Sequence, residues 1–84
     1  MKAYQIFTGE YMETGDYTHF ELVATYLDKE RALKHCEELV EKTPLYGEKL
    51  IENDFNEITG IKDWDTYGWN ISTIVRLKEI DIIE

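Results

Sequence analysis

Residues 69–83 read WNISTIVRLKEIDII, and this stretch decides the fold because it carries the strongest strand signal in the chain. Branched and aromatic side chains alternate with polar ones, as on a strand with one buried face. One phase holds Trp69, Ile71, Thr73, Val75 and Leu77. Ile80 and Ile82 take the other phase. This change predicts a bulge near Lys78-Glu79, or an end segment that is apolar on both faces and needs another surface to cover it.

Two segments nearer the start of the chain also predict strands. Residues 3–8 and 17–27 are rich in β-branched and aromatic side chains. Alternation predicts that the second segment turns Phe20, Leu22, Ala24 and Tyr26 toward the core. Residues 9–16 hold two glycines among polar residues, which is typical of a hairpin loop. We therefore expect these two strands to pair antiparallel.

A helix is predicted over residues 29–42. Asp28 stands at the N-cap position, and Glu30 in the first turn favours the helix dipole. The apolar face of this helix consists of Ala32, Cys36, Leu39 and Val40. Pro44 then breaks the pattern.

A second, shorter helix is predicted before Gly60, which suits a C-cap glycine. Its apolar residues at helical spacing are Leu50, Ile51, Phe55 and Ile58. The competing interpretation is a strand over residues 49–58, but the sequence END at 52–54 is poor strand material. Residues 63–68 are predicted to form a loop. The sequence therefore predicts one α+β domain spanning 1–84, a small antiparallel sheet packed by one long and one short helix in the order ββααβ.

The charge of the chain limits its partners. Eighteen Asp and Glu against nine Lys and Arg give a net charge of -9, the wrong sign for binding a phosphate backbone directly. The same charge attracts a basic protein surface, although it also serves solubility alone. With a single cysteine, Cys36, no apolar signal region and no apolar run of about 20 residues, we expect a cytoplasmic protein without a membrane role.

No catalytic set, metal site or cofactor site is predicted. His35 and Cys36 are neighbours in sequence, but adjacent helix residues diverge by about 100°, and Cys36 lies within the apolar stripe. Residues 63–68 begin like a calcium-binding loop, yet Ile74 stands where that loop needs a bidentate glutamate. The protein is therefore expected to act by binding rather than by catalysis.

Two acidic clusters are the predicted partner-binding sites. No Lys or Arg occurs from residue 3 to residue 27, where carboxylates accumulate, and a second cluster lies at residues 52–65. Aromatic residues ringed by carboxylates suit a basic groove, whereas the alternative is that these loops are simply solvated. The predicted binding residues are Glu10, Tyr11, Glu13, Asp16, Asp54, Glu57, Asp63, Trp64 and Asp65.

Residues 26–32, YLDKERA, pass from a strand directly into a capped helix. This junction is similar to that of many small ββα proteins of phages and mobile elements. In length, acidity and single domain the whole chain also resembles phage-encoded inhibitors of host defence, of the anti-restriction or anti-CRISPR type, some of which imitate DNA. The resemblance implies a binding partner in the host cytoplasm and transfers no individual residue.

Two functional hypotheses follow. The first is an inhibitory protein whose acidic surface occupies a basic groove of a host protein, such as a nucleic-acid-binding defence protein. The second is a homo-oligomeric structural or accessory module, for example a homodimer, that uses residues 69–83 as an exposed sheet edge.

Overall fold

The computed structural model describes residues 1–12, 17–42, 50–65 and 71–83. Its elements are β1 (Lys2–Met12), β2 (Tyr17–Tyr26), α1 (Lys29–Lys42), β3 (Ile51–Glu52), β4 (Ile61–Asp65) and β5 (Ile71–Asp81). The strands form one antiparallel sheet in the order β2-β1-β5-β4-β3. The helix α1 packs across one face of the sheet, against β1, β2 and β5.

β5 is the central strand and is paired on both sides. Its register with β1 runs without a shift from Lys2 opposite Asp81 to Met12 opposite Ile71. β4 pairs with its other side. The predicted strand is therefore confirmed over Ile71–Asp81, but it is not a sheet edge, which removes the edge on which the homo-oligomer hypothesis was based.

The end of β5 continues the regular strand geometry. Lys78 and Glu79 keep their register with β1, so the predicted bulge at this point is wrong. Ile80 lies opposite Ala3, on the face away from α1, because side chains alternate along any regular strand. Toward its end, β5 therefore carries apolar residues on both faces of the sheet, and this produces the change of phase in the sequence.

The core lies between α1 and the sheet. Its most buried side chains are Ile6, Ala32, Cys36, Leu50, Trp64, Val75 and Leu77. Val75 and Leu77 share one face of β5, and Ile6 of β1 lies directly opposite Leu77. Ala32 and Cys36 lie one turn apart on α1, as the apolar spacing predicted. The helix and its buried face are confirmed.

The start of α1 is also confirmed. The side-chain Oδ1 of Asp28 accepts a hydrogen bond from the amide of Glu30 at 2.9 Å. The carbonyl oxygen of Asp28 accepts from the amide of Ala32 at 3.1 Å, which opens the helical ladder. Asp28 thus acts as the N-cap and satisfies an amide that has no partner within the helix.

A register shift changes which face part of β2 presents. Ile6 lies opposite Ala24, but Phe7 lies opposite Leu22, so Val23 is an extra residue in β2. Such a bulge breaks the strict alternation of side chains. Ala24 packs against the core, whereas Leu22 is 52% exposed on the face of Phe7. The predicted core face is correct for Ala24 and wrong for Leu22.

A second register shift lies opposite Gly9. A Cβ atom at this position would lie 2.6 Å from Cδ2 and 2.8 Å from Cα of Phe20, so only glycine leaves room for this strand. The Phe20 ring stacks on that of Phe7, with centroids 5.1 Å apart and planes at 4°. Phe20 therefore packs on the face away from α1 and not in the predicted core.

The second predicted helix is wrong, because residues 51–65 form a pair of antiparallel segments. Ile51 lies opposite Asp65, and a further bridge joins Asn56 to Ile61. In the predicted apolar stripe, Ile51 is 54% and Ile58 is 96% exposed, so the helical spacing does not form a buried face.

Asn56 makes the turn that reverses the chain. Its Oδ1 accepts hydrogen bonds from the amides of Ile58 at 2.9 Å and Thr59 at 3.2 Å. The amide of Gly60 donates to the carbonyl of Asn56 at 2.8 Å, and Gly60 adopts a φ of 72°, where residues with a side chain are strained. The glycine thus ends a single turn and not a helix.

The order of the described elements is ββαβββ and not the predicted ββααβ. β4 also occupies residues 63–65 of the predicted 63–68 loop. The remainder of that loop and Trp69 lie outside the described residues. One helix on a five-stranded antiparallel sheet replaces the predicted two-helix arrangement.

We expect Ile6→Ala and Leu22→Ala to differ sharply in stability, although both shorten an aliphatic side chain. Ile6 is fully buried, so its truncation should lower the free energy of unfolding by about 2–5 kcal/mol. Leu22→Ala should cost less than about 1 kcal/mol. Urea unfolding of both variants measures these values, and equal losses would contradict the assignment of Leu22 to the open face.

Candidate functional site

Of the residues predicted in the first acidic cluster, the structure describes Glu10 and Tyr11. Glu10 lies in β1 between Thr18 of β2 and Thr73 of β5, and its side chain is half-buried. Tyr11 is the next residue of β1. Glu13 and Asp16 lie outside the described residues.

Trp64 does not form the predicted surface anchor. It lies in β4 opposite Val75, on the face that α1 covers, and only 4% of it is exposed. Its indole therefore stabilises the core and is not available to a partner. The sequence placed Trp64 in a loop between acids, and its alternation with Asp63 and Asp65 along a strand was not recognised.

Asp63 and Arg76 form a two-point ion pair on the sheet face away from α1. They lie opposite each other on β4 and β5. Arg76 Nε donates to Asp63 Oδ1 at 2.8 Å, and an Nη atom donates to Oδ2 at 3.1 Å. The Asp63 side chain is only 22% exposed and the Arg76 side chain only 19%. This geometry fixes both groups and neutralises the Asp63 charge locally.

Asn53 fixes the segment that follows β3. Its backbone amide donates to the carbonyl oxygen of Asp63 at 2.9 Å. Its side-chain Nδ2 lies 3.2 Å from that oxygen and 3.2 Å from Oδ1 of Asp65. Lys62 Nζ donates to the Asn53 carbonyl at 3.0 Å. These bonds hold the acidic segment against β4 although β3 itself has only two residues.

An open depression of about 370 Å³ lies beside this network. It is lined by Asn53, Asp54, Asn56, Thr59, Ile61, Asp63, Asp65 and Arg76. Three carboxylates thus face one cation, and the guanidinium of Arg76 is already bound to Asp63. Carboxylate and amide oxygens at the surface accept hydrogen bonds from lysine or arginine side chains. The depression is suited to a cationic side chain of a partner.

The structure brings together part of the predicted set. Asp54, Asp63 and Asp65 line the depression, while Glu57 is exposed in the adjoining turn. Glu10 lies opposite Thr73 and Asp65 lies opposite Ile74, so the two carboxylates point to opposite faces of the sheet and the structure does not bring Glu10 to the depression. The asparagines, Thr59 and Arg76 were not predicted, since their grouping depends on a hairpin that the sequence pattern did not indicate.

Cys36 and His35 do not form a reactive pair. Cys36 is fully buried, and burial, with a smaller contribution from Glu37, raises the pKa of its thiol to about 12. His35 Nδ1 lies 3.0 Å from the hydroxyl oxygen of Tyr26, and the two rings meet edge to face. His35 therefore packs between α1 and β2, and Cys36 is a core residue, as predicted.

No protein-family model, curated protein or solved structure gives a match to this chain. Within the described ranges, no three His, Cys, Asp or Glu side chains are grouped so that they could hold a metal ion. The same ranges contain no helix with the length and apolarity that a membrane crossing requires.

We expect the Asp63–Arg76 pair to show a coupling energy of about 0.5–3 kcal/mol in a double-mutant cycle of Asp63→Asn and Arg76→Gln. Glu52 and Lys62 provide the control, because their ion pair at 2.9 Å includes a carboxylate that is 63% exposed. That cycle should give less than about 1 kcal/mol. Unfolding in urea measures both, and a weaker coupling at Asp63–Arg76 than in the control would show that the pair does not fix this surface.

The buried thiol should make stability depend on pH above neutrality. The unfolded thiol loses its proton near its ordinary pKa of 9.0, whereas the folded thiol keeps it until about 12. The contribution of Cys36 is therefore fully present below pH 9 and is lost as the pH rises from 9 toward 12. Urea unfolding across this range should show a steeper decline for the native chain than for Cys36→Ala. Parallel curves would contradict burial of the thiol.

Proposed function

We propose that this protein binds another protein by placing an acidic surface in a basic groove of its partner. The observation that supports this proposal is the open depression that Asp54, Asp63 and Asp65 line, in which the cation Arg76 is already paired with Asp63. We define the acidic surface as this depression together with the exposed Glu57. It offers accepting oxygens to the donors of a basic partner.

The overall charge supports the same proposal over longer distances. A net charge of -9 on 84 residues produces a field that accelerates encounter with a basic surface and repels nucleic acid. Screening by salt weakens this attraction beyond about 8 Å at physiological ionic strength. Binding that depends on the acidic surface should therefore weaken as salt is added.

Glu10 of the first acidic cluster and the acidic surface lie near the same end of the sheet, on opposite faces. Glu10 in β1 and Asp65 in β4 lie on either side of β5, and strands are spaced by about 4.8 Å, so the two backbones are about 10 Å apart. Glu13 and Asp16 follow Glu10 in sequence. Glu10 shares the sheet face of Ile6 and Leu77, whereas Asp63 and Asp65 lie on the other face, so the first cluster adds negative charge near the acidic surface and does not extend that surface.

The proposed partner class is a protein whose basic groove ordinarily holds nucleic acid, because such grooves present spaced Lys and Arg side chains. The resemblance to small inhibitors of host defence in length and acidity supports the same class, including imitation of DNA. The activity we propose is inhibition by occupation of the groove. It requires no catalytic residue in this chain.

We expect Asp54→Lys/Glu57→Lys to abolish retention of the partner in a pull-down from bacterial lysate, because both exposed carboxylates belong to the acidic surface. Glu37→Lys/Glu41→Lys is the matched control, since it changes the net charge equally at exposed sites on α1. Native protein and control should retain the partner at low salt and lose it at high salt. The retained proteins are identified by mass spectrometry.

Two outcomes would contradict this proposal. Equal loss in both double variants would show that net charge alone matters and that the acidic surface has no special role. Recovery of no protein other than the tagged chain at low salt would contradict binding to a basic partner. A Glu10→Gln variant, which removes one charge of the first cluster, tests the contribution of that cluster separately.

A further inference from the structure

β2 is the long edge of the sheet. In the described part of the chain it is bonded to β1 on one side and to no strand on the other. The opposite edge, β3, has two residues, whereas β2 has ten. No strand of the described ranges therefore pairs with the backbone amides and carbonyls of β2 that point away from β1.

The side chains of this edge are apolar and acidic. Leu22, Val23 and Leu27 are exposed in and just after β2, and Glu21 is exposed beside them. Lysine commonly protects a sheet edge from further pairing, but β2 contains no Lys or Arg. The next basic residue along the chain is Lys29, at the start of α1. An added strand would thus meet apolar contacts and negative charge.

A second copy of this chain fits the edge poorly. Glu21 lies near the middle of β2, so antiparallel pairing of two such strands would bring like charges together. Two register shifts also keep β2 from presenting a long flat edge. A segment with basic side chains avoids the repulsion between carboxylates, and a short one pairs with only part of β2, so the register shifts restrict it less than a second full-length strand.

We propose that β2 binds an extended basic segment of the partner protein, which adds to the sheet as a sixth strand beside it. This inference rests on the proposed function and names the form in which the partner is recognised there. Backbone hydrogen bonds supply the contact, and complementary charge selects the segment. The acidic surface around Asp54 and the β2 edge are then two separate contact regions.

The test uses a short synthetic peptide that alternates Lys and Val, added to the full chain and followed by NMR. Two further peptides carry N-methyl groups, one at every Val and the other at every Lys, and both keep the charge of the parent. Successive amides of a strand point to opposite edges, so strand addition predicts that one methylated peptide binds about tenfold more weakly than the other. Amides of β2 should exchange more slowly in the complex.

Protein variants add an independent arm. Glu21→Lys should weaken binding of the parent peptide, while Glu37→Lys, an equal charge change on α1, should not. Equal affinity of the two methylated peptides, absence of parent binding, or protection confined to residues other than β2 would overturn strand addition. Failure here leaves the groove-binding proposal testable through Asp54→Lys/Glu57→Lys, because that double variant does not alter β2.

Discussion

The pairing of β5 between β1 and β4 is the constraint on which the rest of the structure depends. It places Val75 and Leu77 at the centre of the sheet, where β1 brings Ile6 and β4 brings Trp64 onto the same face. The helix can bury Ala32 and Cys36 only because this continuous apolar surface exists beneath it. On the reverse face the same register sets Arg76 opposite Asp63, so one pairing determines both the core and the acidic surface.

Local signals in the sequence predicted the parts of the fold that local physics decides. Asp28 and the apolar spacing after it specify α1, and regular alternation specifies most of β5. Prediction was wrong where a tertiary contact overrides a local pattern. Residues 50–58 match helical spacing, yet pairing with β4 and the hydrogen bonds of Asn53 and Asn56 hold them extended or turned. The place of Leu22 depends on a bulge that no single-sequence pattern marks.

The acidic surface shows the same division between composition and geometry. The sequence indicated Asp54, Asp63 and Asp65 because they are close along the chain, and they do line one depression. It also included Trp64, whose neighbours are acidic but whose own side chain points to the core. Arg76 was missed because it is distant in sequence and becomes a neighbour only through the β4–β5 register. The net charge thus indicated that the surface is acidic. Strand pairing determined which carboxylates line the depression.

The central position of β5 also governs the order in which this protein can be assembled during synthesis. Among the described strands, β1 is synthesised first and its partner β5 is synthesised last. In a nascent chain that lacks residues 71–81, one side of β1 has no partner strand and α1 lacks the contacts with Val75 and Leu77. Such distant pairings slow folding. The side of β1 that pairs with β5 therefore stays exposed until residues 71–81 have been synthesised.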